Sequence, residues 1–63
     1  MKIFRNIVWD KALPKFKQEL TERELGFAVI PWAFDCGIQS YMVYYGPHTS
    51  QEIWDYCWAN DLV

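Results

Sequence analysis

Residues 27–34 and 38–45 form two runs rich in β-branched and aromatic side chains, and neither run has a polar face. On the second run one parity reads Ile38, Ser40, Met42, Tyr44 and the other Gln39, Tyr41, Val43, Tyr45. On the first run the parities are Phe27, Val29, Pro31, Ala33 and Ala28, Ile30, Trp32, Phe34. A sheet wetted on one side alternates apolar with polar residues. This pair of strands therefore calls for cover on both faces.

Asp35-Cys36-Gly37 separates the runs and predicts a β-hairpin with a three-residue loop, Gly37 taking the positive-φ position at its end. Pro31 lacks a ladder donor, so strand 27–34 is expected at a sheet edge or bulged at that residue. Gly46-Pro47 ends the second strand. Beyond it, Ile53, Trp54, Cys57, Trp58 and Leu62 repeat at helical spacing. Thr49 with Glu52 has the form of a capping box, and together these predict an amphipathic helix over 50–61. Its outer face carries Gln51, Glu52, Asp55, Ala59 and Asn60.

A second helix is expected over 14–25, with Pro14 in its first turn and Gly26 as its C-terminal cap. Its apolar stripe is thin, consisting of Leu13, Phe16 and Leu20. Residues 2–9 read as strand or helix: Ile3, Phe4, Ile7 and Val8 have helical spacing but strand-like composition. Composition tips this segment towards a strand. The expectation is a single small α+β domain over 1–63, in the order β-α-β-β-α. A helical start would instead give helix–hairpin–helix.

The chain has 63 residues, and a domain of that size hides only about 60% of the surface its unfolded chain exposes. It holds four Trp, four Tyr and four Phe, each able to bury roughly 150–250 Å². Twelve such rings exceed one small core, so some are expected at the surface, where aromatic side chains mark interfaces.

Charge is segregated. The six basic residues Lys2, Arg5, Lys11, Lys15, Lys17 and Arg23 all lie in the first 23 positions. With Asp10, Glu19 and Glu22 that segment carries +3; Glu24, Asp35, Glu52, Asp55 and Asp61 give the remainder −5. Such asymmetry concerns association rather than fold. The start of the chain does not read as a secretory signal, because Arg5 interrupts its apolar stretch. The longest apolar run, 27–34, is far short of the roughly 20 residues that span a bilayer. A cytoplasmic protein with reduced thiols and no membrane association is expected. Cys36 and Cys57 make no disulfide framework, although a bridge between them would close a loop of about 20 residues and stabilise by roughly 3 kcal/mol.

No chemical motif stands out. His48 is the only histidine, and nothing in its spacing to Thr49, Ser50 or Cys57 links it to a nucleophile; an exposed loop residue is expected. Cys36, Cys57, His48 and Asp35 lack the paired spacing of a zinc site. The carboxylates are scattered, and no phosphate loop or nucleophile elbow occurs. The chain is read as non-enzymatic, with no cofactor and no metal.

The leading expectation is a small protein-binding module. Trp32, Tyr41 and Tyr45 would be its aromatic anchors, and Asp35, Glu52, Asp55 and Asp61 its acidic border. Its size, acidity and aromatic content are similar to those of inhibitors made by phages and other mobile elements; no motif carries that likeness. A partner that is itself basic and handles nucleic acid would complement such a border. The alternative is a homodimer joined through the second apolar face of the hairpin. Single-stranded nucleic acid stacked on Tyr41, Tyr44, Tyr45 and Trp32 ranks last, because the hairpin and last helix carry no cation for phosphates.

Overall fold

The computed structural model describes residues 1–63. They form β1 (Phe4–Trp9), a 3-10 turn (Asp10–Ala12), α1 (Leu13–Glu22), β2 (Gly26–Asp35), β3 (Ile38–Gly46) and α2 (Ser50–Ala59). This is the expected α+β arrangement, and the opening segment is a strand. The sheet order is β1-β3-β2. β3 runs antiparallel to both neighbours, so β1 and β2 are parallel to each other, and α1 is the crossover between them.

Each face of the sheet receives one helix. On one face Val8 and Val43 are buried with Leu20 of α1, and Leu13, Phe16, Leu25, Phe27, Val29 and Tyr45 pack around them. On the other, Ala28, Ile30, Met42 and Tyr44 are buried against Ile53 and Cys57 of α2, with Ile3 and Leu62 at the margin. Each apolar face of the hairpin thus finds cover over part of its length, and the central strand β3 contributes to both cores. The interior is small, with 12 of 63 residues buried, so a single large-to-small change in it removes a substantial share of the packing. Neither helix is long and apolar enough to cross a membrane.

Both expectations for Pro31 hold together. β2 is an edge strand, and its register slips between Pro31 and Ala33, leaving Trp32 as an unpaired bulge residue. The Phe27 N–H donates to Ser50 Oγ at 3.1 Å, away from β3. Pro31 shares its parity, so the missing proline donor falls on the outer side and costs no ladder bond. The Ala33 carbonyl beside the bulge accepts from Gln39 Nε2 at 3.0 Å and from the buried Ser40 Oγ at 3.2 Å. The bulge also inverts facing. Ala33 pairs with Ser40 on the α2 side, and Phe34 pairs with Gln39 on the α1 side.

Three local expectations are corrected. The hairpin loop has two residues, since Asp35 pairs with Ile38. Cys36 and Gly37 both have positive φ, 51° and 78°, as the tight turn that follows strand twist requires. Gly26 is not the cap of α1, which ends at Glu22, short of residue 25. Glu24 takes the left-handed position (φ 57°), with its N–H on the Thr21 carbonyl at 3.0 Å and the Leu25 N–H on the Leu20 carbonyl at 2.9 Å. This is a Schellman motif with glutamate where glycine is usual. The same motif ends α2 before residue 61: Asp61 has φ 55°, and the Leu62 N–H reaches the Cys57 carbonyl at 2.9 Å.

The capping box at the start of α2 is present. Glu52 N–H donates to Thr49 Oγ1 at 3.1 Å, and Thr49 N–H donates to Glu52 Oε1 at 3.0 Å. The bond from the Thr49 backbone, then that involving its hydroxyl, holds the Glu52 carboxyl below its ordinary range.

Candidate protein-binding surface

α2 covers only one end of its sheet face. Register places Arg5, Tyr44 and Ala28 in one cross-strand row, then Ile7, Met42 and Ile30, then Trp9, Ser40 and Ala33, and finally Ile38 with Asp35. The buried members that touch α2 lie in the first two rows. Beyond them Ile7, Trp9 and Ile38 are each more than half exposed, as is Trp32 at the bulge. Trp32 shares a shallow depression with Arg5, Asn6, Ile7 and Met42. A second depression lies among Trp9, Lys11, Ala12 and Ile38. The outcome is an apolar surface on rigid strands, with Arg5 and Lys11 beside it on the β1 side and Asp35 at the hairpin tip.

The residues expected at a partner site are dispersed. Trp32 and Asp35 belong to this open end. Tyr41 and Tyr45 lie on the opposite face. Tyr45 is half-buried beneath α1, stacked on Phe4 (centroids 5.7 Å apart) and edge-on to Phe16 (5.6 Å). The Tyr41 hydroxyl donates to Asp10 Oδ1 at 3.3 Å; desolvation first, then that carboxylate, holds its phenol above the ordinary value. Glu52 is engaged in the capping box, Asp55 accepts from Gln51 Nε2 at 2.9 Å, and Asp61 follows the helix.

The expected stripe of α2 divides. Ile53 and Cys57 face the core, whereas Trp54 and Trp58 stand outside it, edge to face at 6.2 Å. Asp55 and Asp61 are near them in sequence, giving α2 an aromatic and acidic flank.

Reading the sequence missed Ile7, Trp9, Ile38 and the exposed tryptophan pair. The signal was the surplus of apolar side chains over core volume, but it does not say which ones stay outside.

Around His48 the hydroxyls are already engaged. Thr49 Oγ1 accepts from Glu52, and Ser50 Oγ accepts from Phe27. His48 itself is half-buried rather than exposed, with its Nε2 enclosed and unpartnered. Cys36 is exposed at the hairpin turn and Cys57 is buried, both as free thiols; burial pushes the Cys57 thiol up. No cluster of three or more His, Cys, Asp or Glu side chains forms a cage for a metal ion.

No protein-family model matches the chain, and no curated protein or solved structure matches it.

Proposed function

We propose that the protein is a non-enzymatic binding module that docks another protein on the open end of its α2-side sheet face. The observation that carries this reading is the cluster Ile7, Trp9, Trp32 and Ile38, four large apolar side chains left uncovered on one surface. Removing them from water supplies binding energy at roughly 25 cal/mol per Å² before the costs of association. Tryptophan is the residue type most enriched among dominant interface contacts. Two free thiols fit a reducing, cytoplasmic setting.

The rim carries both signs, so this end alone does not select a partner's charge. A contact that extends onto α2 would add Trp54 and Trp58 with Asp55 and Asp61, and would favour a basic partner. An inhibitor or modulator of a basic, nucleic-acid-handling protein is the specific form of the proposal, because carboxylates on a rigid helix compete for sites built for phosphates.

The test is quantitative capture with immobilised protein, comparing Trp32→Ala/Ile38→Ser with Trp58→Ala/Asp55→Lys. Loss of one specific partner in the first variant, with the circular dichroism spectrum intact, supports the open sheet end. Unchanged capture by both variants sinks the proposal.

A second reading draws on one feature of the fold. Strand order brings Arg5 and Lys11 beside Trp9 and Trp32, so cations lie next to exposed rings, as single-strand binding requires. Tyr44 is buried, and Tyr41 and Tyr45 are half-buried, which leaves Trp32 as the exposed ring among the four first considered. Tryptophan fluorescence titrated with a short oligothymidylate at about 50 mM salt, where charge-driven binding is strong, separates the readings. An unquenched signal removes nucleic acid.

A further inference from the structure

We infer that a second copy of the chain docks on the free edge of β1, strand against strand and antiparallel, with Ile7 at the two-fold axis. The inference rests on backbone groups and is independent of what the open sheet face binds.

The two edges of the sheet differ. The β2 edge is blunted: Pro31 offers no donor, Trp32 bulges, and Ser50 already takes the Phe27 N–H. These are recognised devices against edge pairing. The β1 edge has none of them. Its register with β3 is continuous from Phe4 to Trp9, it contains neither proline nor glycine, and only Val8 on it is buried.

The direction of the β1 groups follows from the ladder. Phe27 turns its N–H outward, so its register partner Tyr45 turns its own backbone groups towards β1. Tyr45 pairs with Phe4, and alternation then directs Phe4, Asn6 and Val8 inward. Arg5, Ile7 and Trp9 direct theirs outward. No backbone bond outside the regular elements reaches these three residues; the Trp9 carbonyl accepts the first bond of the 3-10 turn that Trp9 caps.

An antiparallel pairing centred on Ile7 opposes Ile7 to Ile7 and Arg5 to Trp9 on each side of the axis. In that register, on each chain, Ile7 donates and accepts once and the Trp9 N–H donates to the partner's Arg5 carbonyl, while the Trp9 carbonyl stays with the 3-10 turn it caps. A shift by one residue either way leaves one of the three without a strand partner. The side-chain pairing agrees: the Arg5 guanidinium of one copy comes over the Trp9 indole of the other, a favourable cation–π arrangement. The axis brings two isoleucines together rather than like charges. The contact is isologous, as closed two-fold dimers are. The product is a continuous six-stranded sheet with both α2-side faces on the same side, and the open apolar ends meet across the axis.

Light scattering at high micromolar concentration is expected to give twice the mass of one chain, insensitive to salt. Ile7→Lys, at an exposed position, brings two ammonium groups together at the axis and is expected to halve that mass. N-methylation of the Ile7 amide, introduced by chemical synthesis, removes only the outward donor and is expected to do the same. As an independent readout, Ile7→Cys in a Cys36→Ser background should form a disulfide-linked dimer under mild oxidation. Hydrogen-bonded antiparallel pairs place their Cα atoms about 5.5 Å apart, within disulfide range. Asn6→Cys in the same background should not cross-link. A wild-type mass of one chain at every concentration overturns the inference, as does a dimer that persists undiminished in Ile7→Lys.

Discussion

Gly26 lies directly beneath His48: a Cβ on Gly26 would collide with the His48 carbonyl oxygen and stand 2.5 Å from the Thr49 carbonyl carbon. The atoms in the way are backbone, and they lead into the capping box of α2. The glycine is there because β2 and the start of α2 approach more closely than any side chain permits.

Gly26→Ala is therefore expected to be among the most damaging single substitutions. Alanine elsewhere in a strand is mild; here the clash forces α2 off the sheet. A loss of more than about 3 kcal/mol is expected, in the range of severe packing and backbone defects. Urea denaturation followed by circular dichroism measures it, and a loss under about 1 kcal/mol would show that the approach is looser than described.

The helix ends offer the opposite effect. Glu24 and Asp61 hold left-handed conformations that cost non-glycine residues roughly 1–2 kcal/mol, and both put a carboxylate where the helix dipole is negative. Glycine removes both penalties but gains unfolded-state entropy. Glu24→Gly and Asp61→Gly are each expected to stabilise by about 0.5–1 kcal/mol. A melting temperature that falls in both variants would refute this account.

Cys36 presents the same strain at an exposed turn. Cys36→Asn suits the first position of a turn with two positive φ values and is expected to raise the melting temperature. The thiols should also differ in reactivity. In the native protein a maleimide reagent should label Cys36 and spare Cys57, which is enclosed and has a raised pKa. Labelling of both at equal rates without denaturant would mean that α2 detaches readily.

The capping box has a pH signature. Glu52 is held below its ordinary value of 4.5, so folding favours its ionised form. That contribution is fully present above the unfolded pKa and is lost as pH falls through the lower folded value. The difference in melting temperature between wild type and Glu52→Gln should therefore shrink, in wild type's disfavour, on acidification from neutrality through that window. A difference constant with pH would exclude the ionised cap.

Local signals in the sequence were legible because they act over a few residues. Thr49 and Glu52 announce a helix start through bonds that span three positions. Pro31 announces an edge or a bulge because a missing N–H is a property of one residue. Gly26 was misread because a glycine after a helix fits a C-terminal cap equally well. The real demand, an approach by His48 and Thr49, comes from residues more than twenty positions away and leaves no local trace.

By itself, then, the sequence left the opening segment between strand and helix and determined the hairpin, the two helices, the cap of α2 and the need for cover on each sheet face. Those follow from backbone hydrogen-bonding rules and from side-chain periodicity. Tertiary structure alone decided that β1 lies beside β3, that the Trp32 bulge reverses the facing of Phe34, and that α2 leaves one end of its face bare. Strand order, register and helix placement arise from packing between distant segments. Through them Arg5 and Lys11, from the basic end of the chain, came to border the aromatic surface of the acidic end.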